Sequence, residues 1–159
     1  MKSLVYYATR SGNTRQVANA MADALRPAGP VEVLSVEAGP GAITDDVDLI
    51  LVGSPTEGHG MTPQIVAFLD ALPPLPGRNA AAFDTRVNWP RWASGSAAAG
   101  IRARLEGAGA RGPVPSASFL VSMAPEIKPG ELQRAAAWAS GLAGTVQSSP
   151  VAELTGGAR

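Results

Sequence analysis

The stretch Leu4-Val5-Tyr6-Tyr7-Ala8-Thr9-Arg10-Ser11-Gly12-Asn13-Thr14 decides the fold. Its first part, Leu4 to Ala8, is a short apolar run bounded by polar residues, which suits a strand buried on both faces. Beyond it, Val17, Ala18, Met21, Ala22 and Leu25 recur at helical spacing, and Pro27 ends the pattern. The chain therefore opens as strand, tight loop, helix. A helix N-terminus presents unpaired backbone N–H groups and the positive end of the macrodipole, so an anion fits there. The hydroxyls of Thr9, Ser11 and Thr14 and the amide of Asn13 add donors, and Gly12 lets the main chain approach closely. There is no Walker lysine and no G-x-G-x-x-G spacing. Ser and Asn also cap helices routinely, so the loop alone fits a phosphate cradle and a plain capping loop equally.

Working outward, the alternation continues. Val31 to Ser35 is a second β-branched run, and Asp48 to Gly53 is the clearest buried strand. Thr62-Pro63 starts a helix carrying Ile65, Val66, Phe68, Leu69 and Leu72, with proline at its first position. Asn79 to Phe83 reads as an Ala-rich strand followed by an aromatic loop, and a helix is expected from Ser94 through Ile101 and Leu105 to Gly107. Phe119 to Val121 gives a fifth strand, and Leu132 to Leu142 a last helix, with Trp138 in the core. Five strands alternating with helices predict an α/β protein with a parallel sheet covered on both faces, its crossovers right-handed. Such sheets bind ligands outside the carboxyl ends of their strands. One domain is expected over residues 1–144, with 145–159 as a flexible C-terminal tail.

Composition narrows the chemistry. A chain of 159 residues supports one domain with a sizeable core. Thirteen Lys+Arg balance thirteen Asp+Glu, so no net field draws in a polyanion, and neither nucleic acid nor a membrane surface is expected as a partner. With no cysteine, disulfides, thiolate metal sites, iron–sulfur ligation and cysteine nucleophiles are excluded, and no metal site is expected. The N-terminal apolar run is too short for a secretory segment, and no window reaches the length of a spanning helix, so a cytoplasmic protein is expected.

The segment Tyr7 to Thr14 resembles the T-x-[ST]-G-N-T phosphate loop of flavodoxins, and it follows the first strand as it does in that family. The likeness of element order extends to about Leu142. It implies a doubly wound, three-layer sandwich with a five-stranded sheet in the order 2-1-3-4-5. It also implies flavin mononucleotide (FMN) as cofactor and one-electron transfer between redox partner proteins, a reductase and an acceptor, by a monomer. Thr9, Arg10, Ser11, Gly12, Asn13 and Thr14 would then hold the FMN phosphate. The loop Gly53-Ser54-Pro55-Thr56-Glu57-Gly58-His59-Gly60-Met61 would supply backbone contacts to the flavin ring through Pro55, Thr56, Glu57, Gly58 and His59, with Gly58 as the peptide that flips. In the loop after the fourth strand, Trp89 and then Trp92 are the candidates to stack on the outer face. Asp84, Thr85 and Arg86 would line the ring edge, although an Asp–Arg pair that only braces the loop fits the sequence equally.

Two departures from the family pattern matter. Glu57 stands where flavodoxins often carry a stacking tryptophan, which leaves that ring face to His59, to Met61 or to solvent. The chain is also neutral, with Arg10, Arg86 and Arg91 in the candidate loops, whereas typical flavodoxins surround the ring with carboxylates. A cation near the ring favours adding negative charge to it, so the lowest flavin potential is expected to be less negative than is usual in the family. Two other functions stay open at this level: a flavodoxin-like quinone or NAD(P)H reductase, which needs a second pocket, and a flavin-free scaffold domain. A receiver domain is set aside because strand three ends Val52-Gly53-Ser54 without an aspartate.

Overall fold

In a computed structural model, which describes residues 1–149, five parallel strands form one sheet. They are β1 (Lys2–Tyr7), β2 (Val31–Ser35), β3 (Val47–Pro55), β4 (Asn79–Val87) and β5 (Ala117–Val121), in the order β2-β1-β3-β4-β5. The helices are α1 (Asn13–Leu25), α2 (Pro63–Asp70), the single turn α3 (Arg91–Ser94), α4 (Ala97–Gly107) and α5 (Glu131–Ser148). The expected strand order and three-layer architecture are therefore present.

Period-two alternation divides the strands between two cores. Leu4, Tyr6, Ile50 and Val52 face α2 and α4, where Ile65, Phe68, Ile101 and Leu105 are buried. Val5, Leu49, Leu51, Phe83 and Phe119 face the other way, against Val17, Met21 and Leu25 of α1 and Ala135, Ala139 and Leu142 of α5. Burial on both faces explains why β1 and β3 read as continuous apolar runs. Gly53 is a close-approach position: a Cβ there would stand 2.1 Å from the Phe83 ring. Trp138 is half-buried, packing edge-on against Phe119 at 6.3 Å between ring centroids.

Three element boundaries differ from the sequence reading. β4 runs on to Val87, so Asp84, Thr85 and Arg86 belong to a strand rather than to a loop; they pair with β5 from Ser118 to Leu120, and Asp84 and Thr85 with β3 as well. The helix expected from Ser94 is two pieces, because Gly95 at φ 69° breaks α3 from α4 and Ser96 caps the new start by accepting from the Ala99 N–H at 3.3 Å. Trp92 consequently sits in α3, not in an irregular loop. Finally, α5 continues beyond Leu142 to Ser148, carried by Ala143 and Val146 against the α1 side of the core. The flexible tail expected over 145–159 therefore starts later than read, since 145–148 belong to α5, and its remainder from 150 lies outside the described residues. Among the described residues no helix is long and apolar enough to cross a membrane, and no cluster of acidic or imidazole side chains could hold a metal ion.

The start of α5 is fixed by Glu131, whose carboxylate accepts from the Leu120 N–H at 2.6 Å and from Arg134 at 2.7 Å. Hydrogen bonding from Arg134, outweighing burial, holds the Glu131 carboxyl below the usual range. Its stabilising contribution is thus fully present above the unfolded carboxyl value near 4.3 and is lost as pH falls through the lower folded value. Glu131→Gln is expected to lower the unfolding free energy by about 1–2 kcal/mol at neutral pH in urea melts, with the difference from wild type shrinking in acid.

Candidate functional site

The C-terminal ends of β1, β3, β4 and β5 converge on a groove of about 240 Å³. Its first wall is the loop between β1 and α1. Gly12, at φ 89°, is the N-cap residue of α1 and provides no side-chain cap. By contrast α2 and α4 are capped by the hydroxyls of Thr62 and Ser96. The Gly12 N–H donates to Thr9 Oγ1 at 3.0 Å, and the Asn13 amide reaches Ser11 Oγ at 3.1 Å and the Pro125 carbonyl at 2.7 Å. Asn13 and Thr14 are buried, while Thr9, Arg10 and Ser11 are exposed. The loop is thus folded by its own polar groups, and the N–H groups of the first turn of α1 remain available to an anion. Beneath it, Thr14 Oγ1 and Thr85 Oγ1 share a buried hydrogen bond of 2.8 Å that fastens α1 to β4.

The second wall follows β3. Glu57 and Gly60 exchange backbone hydrogen bonds of 3.0 and 2.9 Å across Gly58 and His59, whose φ values of 51° and 69° make a tight primed turn. Glu57 does not imitate an aromatic. Its carboxylate pairs with Arg10 at 3.2 Å and ties this turn to the loop after β1. Being largely exposed, that pair is worth at most about 1 kcal/mol, so it orients the two loops more than it stabilises them. His59 is exposed at the turn tip, and Met61 packs inward beside Gly100 of α4; neither lines the groove. Gly95 abuts this turn, since a Cβ on it would lie 2.1 Å from the His59 carbonyl oxygen.

Asp84 and Arg86, both on β4, act separately rather than as a pair. Asp84 is fully buried, and its Oδ2 accepts from Thr56 Oγ1 at 3.1 Å, Ser96 Oγ at 2.8 Å and the Ala98 N–H at 3.0 Å. Thr56 Oγ1 in turn accepts from the Ala97 N–H at 3.0 Å. One carboxylate therefore joins β4, the loop after β3 and the N-terminus of α4, where the helix dipole favours its charge. Arg86 lines the groove and braces the next loop, donating to the Trp89 carbonyl at 2.9 Å, while its Nε is buried without a partner among the described residues. Trp89 and Trp92 stand 49% and 87% exposed and lie outside the groove lining. The sequence reading missed Val87, Ser94, Val121 and Pro125, which complete the groove. The only signal for Val121 and Pro125 was their position at the carboxyl end of a strand.

A flavodoxin domain model matches residues 4–90. No curated protein matches the sequence significantly. Among solved structures, the chain is similar to oxidised flavodoxin 1 from Bacillus cereus (23% identity, TM-score 0.75, covering 89% of this chain and 97% of that one). It is also similar to a flavodoxin from Streptococcus pneumoniae (18%, 0.73, 91% and 99%). Rubredoxin oxygen:oxidoreductase from Desulfovibrio gigas matches as well (16%, 0.74, 92% of this chain but 36% of that one). At these identities the structural likeness establishes the fold.

Because Asp84 is buried and serves three donors, Asp84→Ala is expected to lower the unfolding free energy by about 2–4 kcal/mol, measured by urea denaturation without added ligand. A loss under 1 kcal/mol would show that water replaces the carboxylate at little cost.

Proposed function

Since the chain belongs to the flavodoxin family, as the match over residues 4–90 shows, we propose that it binds FMN in the groove at the strand ends and carries electrons one at a time between a reductase and an acceptor protein. The observation that carries this function is the start of α1: a helix with no side-chain cap, preceded by Thr9 and Ser11, opening onto the groove. The buried, partnerless Nε of Arg86 is a second fit, because a donor in that position calls for an acceptor on a ligand.

When bound, FMN supplies the one-electron chemistry. The residues of the chain do the rest. Thr9, Arg10, Ser11, Gly12, Asn13 and Thr14 hold the phosphate with backbone N–H groups and hydroxyls. Pro55, Thr56 and Glu57 would border the ring from the β3 side, with Gly58 and His59 at the exposed tip of the turn beyond it. Asp84 keeps Thr56 in place from below, Thr85 anchors α1, and Arg86 lies along the ring edge. Trp89 and Trp92 stand exposed outside the groove lining, and an outer cover for the ring would fall to Trp89 first.

Titrating the protein with FMN is expected to quench tryptophan fluorescence and give a yellow complex; a colourless protein without quenching would leave only a scaffold role. Ser11→Asp puts a like charge at the phosphate and is expected to weaken FMN by about 30-fold or more. For the potential, reductive titration of Arg86→Ala should move the second reduction step to a more negative value, whereas Arg86→Lys, which keeps the charge but not the loop bracing, should stay near wild type. An unchanged potential in Arg86→Ala would end the electrostatic role of that residue.

A further inference from the structure

We propose that a second cavity, about 580 Å³ at the C-terminal ends of β1 and β2, binds a neutral planar heterocyclic amide. The volume falls within the range of small-molecule sites, and the cavity lies beside the flavin groove rather than in it. Arg10, Pro55 and Glu57 line both spaces, so the Arg10–Glu57 ion pair together with Pro55 is the partition between them. Ala8, Val36, Pro55 and Pro63 give the cavity apolar surface, and Tyr7 adds an aromatic ring to the lining, which suits a planar body.

Charge selects the ligand class. With Arg10 and Glu57 committed to each other, Arg15 and Glu37 are the charged groups left on the cavity, and neither side chain has a partner among the described residues. Arg15 moreover stands in the first turn of α1, where the helix dipole disfavours a cation, so α1 gives it no stabilisation of its own. A free anion would gain from Arg15 and lose to Glu37, and a free cation the reverse. A neutral molecule with a carbonyl beside an N–H satisfies both, its oxygen accepting from the guanidinium and its N–H donating to the carboxylate. This site goes beyond the FMN proposal and does not depend on it.

The test is amide NMR of the full chain with nicotinamide and with benzoate, two molecules of nearly the same shape that differ in amide against carboxylate. Nicotinamide is expected to shift the signals of Ala8, Val36 and Gln64, with benzoate at least about tenfold weaker. Arg15→Gln and Glu37→Gln, both exposed positions, should each weaken nicotinamide about fivefold, and Glu37→Gln should leave the FMN titration unchanged. Equal binding of benzoate, shifts at Thr85 and Val121 instead, or no shift at about 10 mM would overturn the site. So would FMN itself shifting Val36 and Gln64, because the cofactor would then fill the cavity. Failure of FMN uptake with the nicotinamide shifts intact would sink the cofactor proposal alone and leave this site standing.

Discussion

The carboxylate of Asp84 is the constraint on which the groove at the strand ends depends. A parallel sheet covered by helices on both faces brings strand ends and helix N-termini together at one edge, where backbone N–H groups have no intrahelical partners. Asp84 meets that demand at the centre of the edge by accepting from Ala98 N–H, Ser96 and Thr56 at once. Its neighbour Thr85 reaches α1 through a hydroxyl–hydroxyl bond to Thr14. Because strand side chains alternate, two successive residues of β4 reach the helices on opposite faces of the sheet. The groove is consequently framed by fixed elements, although its walls are loops.

Those loops are held by different means. The loop after β1 is organised by hydrogen bonds of its own side chains and by Pro125. The turn after β3 relies on left-handed backbone at Gly58 and His59 and on contact with Gly95. The loop after β4 hangs on the Arg86 guanidinium. Arg10 and Glu57 close the gap between the first two. An exposed ion pair of small net value can still decide geometry, since it sets where one pocket ends and the next begins.

Much of this was legible from sequence because burial on two faces writes itself as uninterrupted apolar runs. Leu4 to Ala8 and Asp48 to Gly53 showed the central strands, and the hydroxyl-rich loop before Val17 showed where an anion could sit. β4 was cut short because Asp84, Thr85 and Arg86 are polar, and nothing in a single sequence says that a buried polar residue has found partners from Thr14, Thr56 and Ser96. α5 was cut short for a related reason: the residues after Gly144 are small and polar, yet packing against the α1 side of the core keeps the helix going.

The sequence by itself thus determined the class of fold, the position of the hydroxyl-rich loop before α1 and the family resemblance, since each rests on local pattern and spacing. Tertiary structure alone decided that Glu57 bonds Arg10 instead of facing a ring, that Met61 turns into the core beside Gly100, and that Asp84 and Arg86 serve different neighbours. The physical reason is that a polar side chain at a strand end takes its role from whichever donors and acceptors the fold delivers to it, and those come from residues far away along the chain.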